Sequence, residues 1–111
     1  MELRHLRYFV AVAEEKNFTR AAERLHIAQP PLSRQIQQLE EELGVQLIEK
    51  GSRPLRLTEA GRFFHAHAQE LLAKAADLKT MTQRVGKIER TLSIGFVAST
   101  LYGLLPEIVR R

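Results

Sequence analysis

Two adjacent prolines constrain this chain more than any other feature of it. They stand in "IAQPPLSRQIQQLEEELG", residues 27–44, where Leu32, Ile36, Leu39 and Leu43 recur at intervals of four, three and four. That spacing lays them along one stripe of an α-helix. Proline breaks a helix interior, but the first turn holds backbone N–H groups that have no internal partner. Pro30 and Pro31 therefore mark the start of the helix and stiffen its junction with the preceding turn. The helix predicted over 29–43 carries Pro30, Ser33, Arg34 and Gln37 opposite the apolar stripe, with Gln29 at its leading end. A solvated helix face usually carries Glu–Lys pairs, yet here Glu40–Glu42 stand only at the far end.

The flanking segments give that helix a setting. Leu3, Leu6, Val10 and Ala13 predict a first helix over residues 3–15. Asn17 is a good N-cap for a second helix, "FTRAAERLH", with Phe18, Ala21, Ala22 and Leu25 inward. Three short helices, the last two joined tightly by "IAQ", make a helix-turn-helix pattern. Beyond Gly44 the period changes: "VQLIEK" and "LRLT" alternate around "GSRP" and predict a small β-hairpin, a wing, with Arg53 at its tip.

From Thr58, a candidate N-cap, a helix of about thirty residues is expected to run to about Lys87, with Gly86 as its stop. At 1.5 Å per residue it spans roughly 45 Å, too long for so small a domain to cover. Phe64, Ala68, Leu71, Ala75, Leu78, Thr82 and Val85 alternate at four and three, a coiled-coil-like seam suited to dimerisation. Burial against other parts of the same chain is the competing account. "TLSIGFVAST" alternates Leu92, Ile94 and Phe96 as a strand, and a further helix is expected after Ser99 or Thr100. A βα pair cannot form a core alone, so it is expected to begin a domain that this chain lacks. The class is mainly α.

Charge is informative only locally. The net charge is +4 and the pI about 9.9, yet residues 1–60 carry nine basic and nine acidic groups. Within them, Lys16, Arg20, Arg24 and Arg34 face only Glu23 over residues 16–39, and "KGSRPLR" holds three cations and no acid. Such local patches suit a polyanion. Arginine matches guanine and glutamine matches adenine on the major-groove edge, for about 1–3 kcal/mol of discrimination each. Gln29, Pro30, Pro31, Ser33 and Arg34 are accordingly the candidate base contacts in the major groove, and Arg53 the candidate in the minor groove. Asn17, Thr19, Arg20, Gln37, Lys50 and Ser52 are the candidate phosphate contacts.

Other classes find little support. The chain has no cysteine, which excludes disulfides and thiolate metal sites. His65 and His67 are two apart on a helix and point in different directions, while His5 and His26 are isolated. No nucleophile motif, glycine-rich phosphate loop or paired carboxylates appear, so neither catalysis nor a metal or cofactor is expected. "YFVAVA" is too short for a signal peptide and is followed by two glutamates, and no run approaches a bilayer span. A cytoplasmic, nucleoid-associated protein is expected. The alternative is a winged helix that binds another protein and no DNA.

The pattern "LRHLRYFVAVAEEKNFTRAAERLHIAQPPLSRQIQQLEEELGVQLIEK" followed by "RLTEAG" resembles the LysR-type transcriptional regulators of bacteria across most of residues 1–65. The linked submotifs "FTRAAERL", "QPPLSRQI", "LEEELGVQL" and "LTEAG" make that resemblance specific. It implies a winged helix-turn-helix DNA-binding domain over 1–58, a linker and dimerisation helix over 59–88, and over 89–111 the start of a truncated effector-binding domain. It further implies an inverted-repeat operator, a homodimer that becomes a tetramer in the full-length protein, and a small-molecule effector, often an anion. Ser99 and Thr100 match the loop where related regulators hold an effector carboxylate. "IAQPPLSRQIQ" and "LYGLLPEI" are similar to the subgroup governing aromatic-acid degradation, such as the benzoate and catechol pathways. Three residues depart from the family pattern. Ala28 stands where serine is common, Ile48 replaces a frequent phenylalanine, and Lys50 a frequent arginine, which removes a bidentate contact.

Overall fold

The computed structural model describes residues 1–94, with side chains through Leu92. The expected strand and helix beyond residue 94, with Ser99 and Thr100, lie outside the described residues. Four helices follow one another: α1 (Leu3–Glu15), α2 (Phe18–Leu25), α3 (Gln29–Leu43) and α4 (Glu59–Ile94). Among the described residues, no helix is long and apolar enough to cross a membrane.

Local chemistry sets each boundary. Asn17 caps α2 by accepting the Arg20 N–H on Oδ1 at 3.0 Å. α2 closes in a Schellman turn: His26 is left-handed at φ 58°, Ile27 N–H donates to Ala22 O, and His26 N–H donates to Glu23 O. α3 starts at Gln29 with its prolines in the first turn and no side-chain cap at Ala28. It ends where Gly44 adopts φ 74° and donates its N–H to Glu40 O. Thr58 caps α4, its Oγ1 accepting the Gly61 N–H at 3.0 Å and donating to Gln46 O at 2.7 Å.

The first compact unit runs Met1–Ala73, past the boundary expected at 58. Its principal core joins Phe9, Val12, Ala21, Ala22, Leu32, Ile36, Leu39 and Leu47. The buried alanines of α2 let α1 and α3 approach closely. A second cluster, Leu6 and Val10 with Ala68, holds the start of α4 against α1, and Phe9 meets Phe64 edge-on at 5.2 Å. Burying a phenylalanine contributes about 1.5–3 kcal/mol. Phe64 and Ala68 therefore pack within the chain, and along the expected seam Leu71 is the first exposed residue. The ends of two apolar stripes, Leu3 and Leu43, are likewise exposed.

Two local expectations are corrected. The wing is no regular hairpin: one antiparallel bridge, Ile48 to Leu57, is its only pairing of strand type among the described residues. Backbone bonds flank it, Glu49 N–H to Arg56 O at 2.9 Å and Thr58 N–H to Leu47 O at 3.0 Å, and side chains satisfy further groups. The Glu40 carboxylate accepts the Leu47 and Ile48 N–H groups at 2.7 and 3.2 Å, and Thr58 takes Gln46 O. Nor does Gly86 stop α4, which continues through Leu92 and Ile94 where a strand was expected. A glycine stop needs the left-handed conformation, which among the described glycines only Gly44 and Gly51 adopt. Lys87–Arg90, mostly good helix formers, carry the helix past the local cost of about 1 kcal/mol.

The second unit, Lys74–Arg111, contains the rest of α4. Leu78, Met81 and Val85 stand on it at intervals of three and four, 67%, 60% and 55% exposed. Ala75 is half-buried.

Candidate nucleic-acid interface

The outward face of α3 comes from the same period that buries Leu32, Ile36 and Leu39. Pro30, Pro31, Arg34 and Gln37 are exposed, while Gln29 and Ser33 are half-buried. Gln29 Nε2 donates to Ser33 Oγ at 2.8 Å, one turn along the helix. Beside this face a groove of about 1200 Å³ separates the α2–α3 corner from the wing. Its lining brings together Asn17, Thr19, Ser33, Gln37, Lys50, Ser52 and Arg53, seven of the candidate contacts. Half-buried Gln29 and the exposed Pro30, Pro31, Arg34 and Arg20 lie outside the lining, on α3 and α2.

Ion pairing divides the cations of α2, α3, the wing and the turn before α2. Arg24 is held by Glu14 at 2.7 Å and Glu15 at 3.4 Å, and Arg56 by Glu49 at 3.0 Å. Lys16, Arg20, Arg34, Lys50 and Arg53 take part in none of the ion pairs found among the described residues. Three of these five, Lys16, Lys50 and Arg53, line the groove. Two of the groove's carboxylates are occupied, Glu40 by backbone N–H groups and Glu49 by Arg56, which leaves Glu41 exposed near the far end of α3. The patch read from residues 16–39 thus loses Arg24, which faces α1.

Arg24 belongs to a separate cluster on the α1–α4 side. Glu14 also accepts from Gln69 Nε2 at 2.9 Å and lies 3.8 Å from His65 Nε2. The hydrogen bond from Arg24 is the chief reason the Glu14 carboxyl titrates below the usual carboxylate range, with partial burial opposing it. The same bond raises the Arg24 guanidinium.

Two candidate contacts already use part of their hydrogen-bonding capacity within the chain. Ser52 donates its hydroxyl proton to Glu49 O at 2.9 Å and accepts the Arg56 N–H at 3.0 Å. That side chain closes the wing's turn, beside Gly51 at φ 70°, and keeps no proton for a phosphate. Asn17 uses only its oxygen as the cap, so its amide N–H groups stay available at the groove. Sequence reasoning missed the part of Glu40 as a clamp on the wing, and no sequence signal marks it, because the N–H groups it accepts lie seven and eight residues away.

The family model described as "Bacterial regulatory helix-turn-helix protein, lysR family" matches residues 3–62. The chain belongs to this family. It is similar to the HTH-type transcriptional regulator BenM of Acinetobacter baylyi, 61% identical over 109 residues, covering 98% of this chain and 36% of that protein. CatR of Pseudomonas putida, another HTH-type transcriptional regulator, is 59% identical over 111 residues, covering 99% of this chain and 38% of CatR. This lysR-family chain thus spans little more than a third of the length of these relatives. Among solved structures, the BenM DBD/catB site 1 DNA complex matches with a TM-score of 0.76 at 62% identity, over 78% of this chain and 97% of that one. The CbnR DBD–DNA complex matches at 0.74 and 44%, over 78% of this chain and 99% of that one. The fold is therefore that of a lysR-type winged helix-turn-helix.

Proposed function

We propose that this chain is the DNA-reading part of a bacterial transcription regulator, binding double-stranded DNA sequence-specifically as a symmetric dimer. The first two turns of α3 enter the major groove, and the wing places Arg53 in the adjacent minor groove. The observation that carries this reading is the convergence of unpaired cations and polar side chains on one groove. Lys16, Lys50 and Arg53, in none of the ion pairs found among the described residues, line one groove with Asn17, Thr19, Ser33 and Gln37, whereas the neighbouring Arg24 and Arg56 are held by carboxylates. Lys16, Arg20 and Lys50 contact phosphates together with the Asn17 amide, and Arg34 and Gln29 read bases. That the similar BenM and CbnR domains were solved in complex with DNA supports the DNA-binding reading.

In a longer protein of the kind those relatives represent, the proposed organisation is a DNA-binding domain over 1–58, a linker helix over 59–88 and an effector-responsive domain beyond. Tetramer formation and response to a small molecule belong to that longer form. Selection of bound duplexes from a random pool, followed by a salt titration of the winning site, tests the proposal. An inverted repeat is expected, with affinity falling steeply as salt rises. Recovery of no common sequence and no salt-dependent duplex binding would overturn it in favour of a protein-binding winged helix.

A further inference from the structure

We propose that Ser33 is a positioning residue for Gln29, and that the pair reads an adenine as one unit. The proposal rests on the DNA-binding reading above. Gln29 and Ser33 are one helical turn apart, and Gln29 Nε2 donates to Ser33 Oγ at 2.8 Å within the chain itself. A glutamine carboxamide has two N–H donors and one carbonyl acceptor. Ser33 takes one N–H. The second N–H and the oxygen remain, and these are the two groups that adenine matches, with N7 as acceptor and its N6 amino group as donor.

Position in the helix favours this arrangement. Gln29 is the first residue of α3, directly before Pro30 and Pro31, so its backbone is set by the stiffest stretch of the chain. A long side chain on such a rigid start would still sample many rotamers if it were free in solvent. The bond to Ser33 removes much of that freedom in advance, so less is lost on binding DNA. Ser33 accepts through its oxygen and keeps its own proton. Among the described residues that proton goes to no protein acceptor, which leaves it for the DNA. Ser33 lines the groove and Gln29 does not, so the hydroxyl sits between the base-reading face and the phosphate-facing surface.

The test uses the chain as it stands, with duplexes carrying each of the four base pairs at every operator position. The position governed by Gln29 is the one whose preference disappears in Gln29→Ala. Wild-type protein is expected to favour adenine there by about tenfold. Ser33→Ala should reduce that preference to about twofold, Ser33→Thr should restore it, and the double variant Gln29→Ala/Ser33→Ala should be no worse than Gln29→Ala at that position. Circular dichroism of each variant checks that α3 is intact. If Ser33→Ala keeps the full adenine preference, or the two losses add independently, the coupling is wrong while the DNA-binding reading stands. A preference for another base at that position overturns the adenine assignment. A wild-type protein with no preference at any position brings down both.

Discussion

At the scale of single residues, two positions separate this structure from what residue type alone implies. Gly61 lies in the first turn of α4 with an ordinary helical backbone, where alanine would be favoured by about 1 kcal/mol on propensity. A Cβ there would overlap the carbonyl oxygen of Leu47 and press on the side chain of Leu57. Gly61→Ala is therefore expected to destabilise the fold by about 1–3 kcal/mol, the usual range for overpacking against backbone that cannot move. Urea denaturation decides the sign, since a midpoint raised by the substitution would mean the loop yields. Glu40 is the second. Its carboxylate satisfies two backbone N–H groups of the segment leading into the wing, at Leu47 and Ile48. Glu40→Ala orphans both and should cost about 2–3 kcal/mol, with Glu40→Gln intermediate because one acceptor oxygen remains. Equal stability of all three proteins would show that water replaces the carboxylate without loss. Neither role is legible in the sequence, because each depends on which distant backbone atom comes close. Asn17 and Thr58 were legible as caps, since a cap acts on its own next turn.

Among the elements, the three short helices were legible: α1 and α3 begin and end where apolar-stripe spacing and prolines place them, and α2 stops at Leu25, one residue before the expected end, because His26 turns left-handed. α1 shows the limit of such a stripe. Leu6, Val10 and Ala13 lie on its expected face, but Phe9 and Val12, both fully buried, do not. The reason is that α1 packs on α2 and α3 on one side and on α4 on the other, so a single arc cannot describe it. The wing is present but its pairing is shorter than expected, because side chains from α3 and the start of α4 take up backbone groups beside its single bridge. In the candidate site, exposure of the α3 face was readable from period alone. The diversion of Ser52 and Arg24 to other partners was not. The Arg24–Glu14 pair carries its own prediction. Because the folded Glu14 carboxyl titrates below its unfolded value, its contribution is fully present above the ordinary carboxylate range and lost as pH falls through the folded value. Denaturation midpoints should therefore decline on acidification below about pH 4.5. In Glu14→Gln that decline should be shallower, with most of the difference from wild type confined to neutral pH. An unchanged pH profile in the variant would assign the acid sensitivity to other carboxylates.

For the molecule as a whole, binding strength depends on how many α3 helices reach the same duplex. One domain offers a short base-reading face and a handful of cations, and the acids of residues 1–60 balance their bases, so no long-range field compensates. Two-fold pairing doubles the contacts and converts the second binding event into an intramolecular one, which raises apparent affinity by about 10²–10⁴. Ala68 is buried and Phe64 partly buried where they hold α4 to α1, whereas Leu78, Met81 and Val85 are large, apolar and more than half exposed. The spacing of these three is that of a helix–helix seam, and their exposure is unfavourable unless a partner covers it. Replacing Leu78 and Val85 together with glutamine keeps the charge and helix propensity close to those of the native residues. The variant should sediment as a monomer at concentrations where the unaltered chain is dimeric. Its affinity for an inverted repeat should fall about a hundredfold, while affinity for a single half-site stays within twofold, since the substitutions lie in the second unit and leave the DNA-reading residues intact. Half-site binding that falls in parallel would place these residues in folding or DNA contact rather than pairing. Undiminished dimerisation would move the interface to another face of the chain.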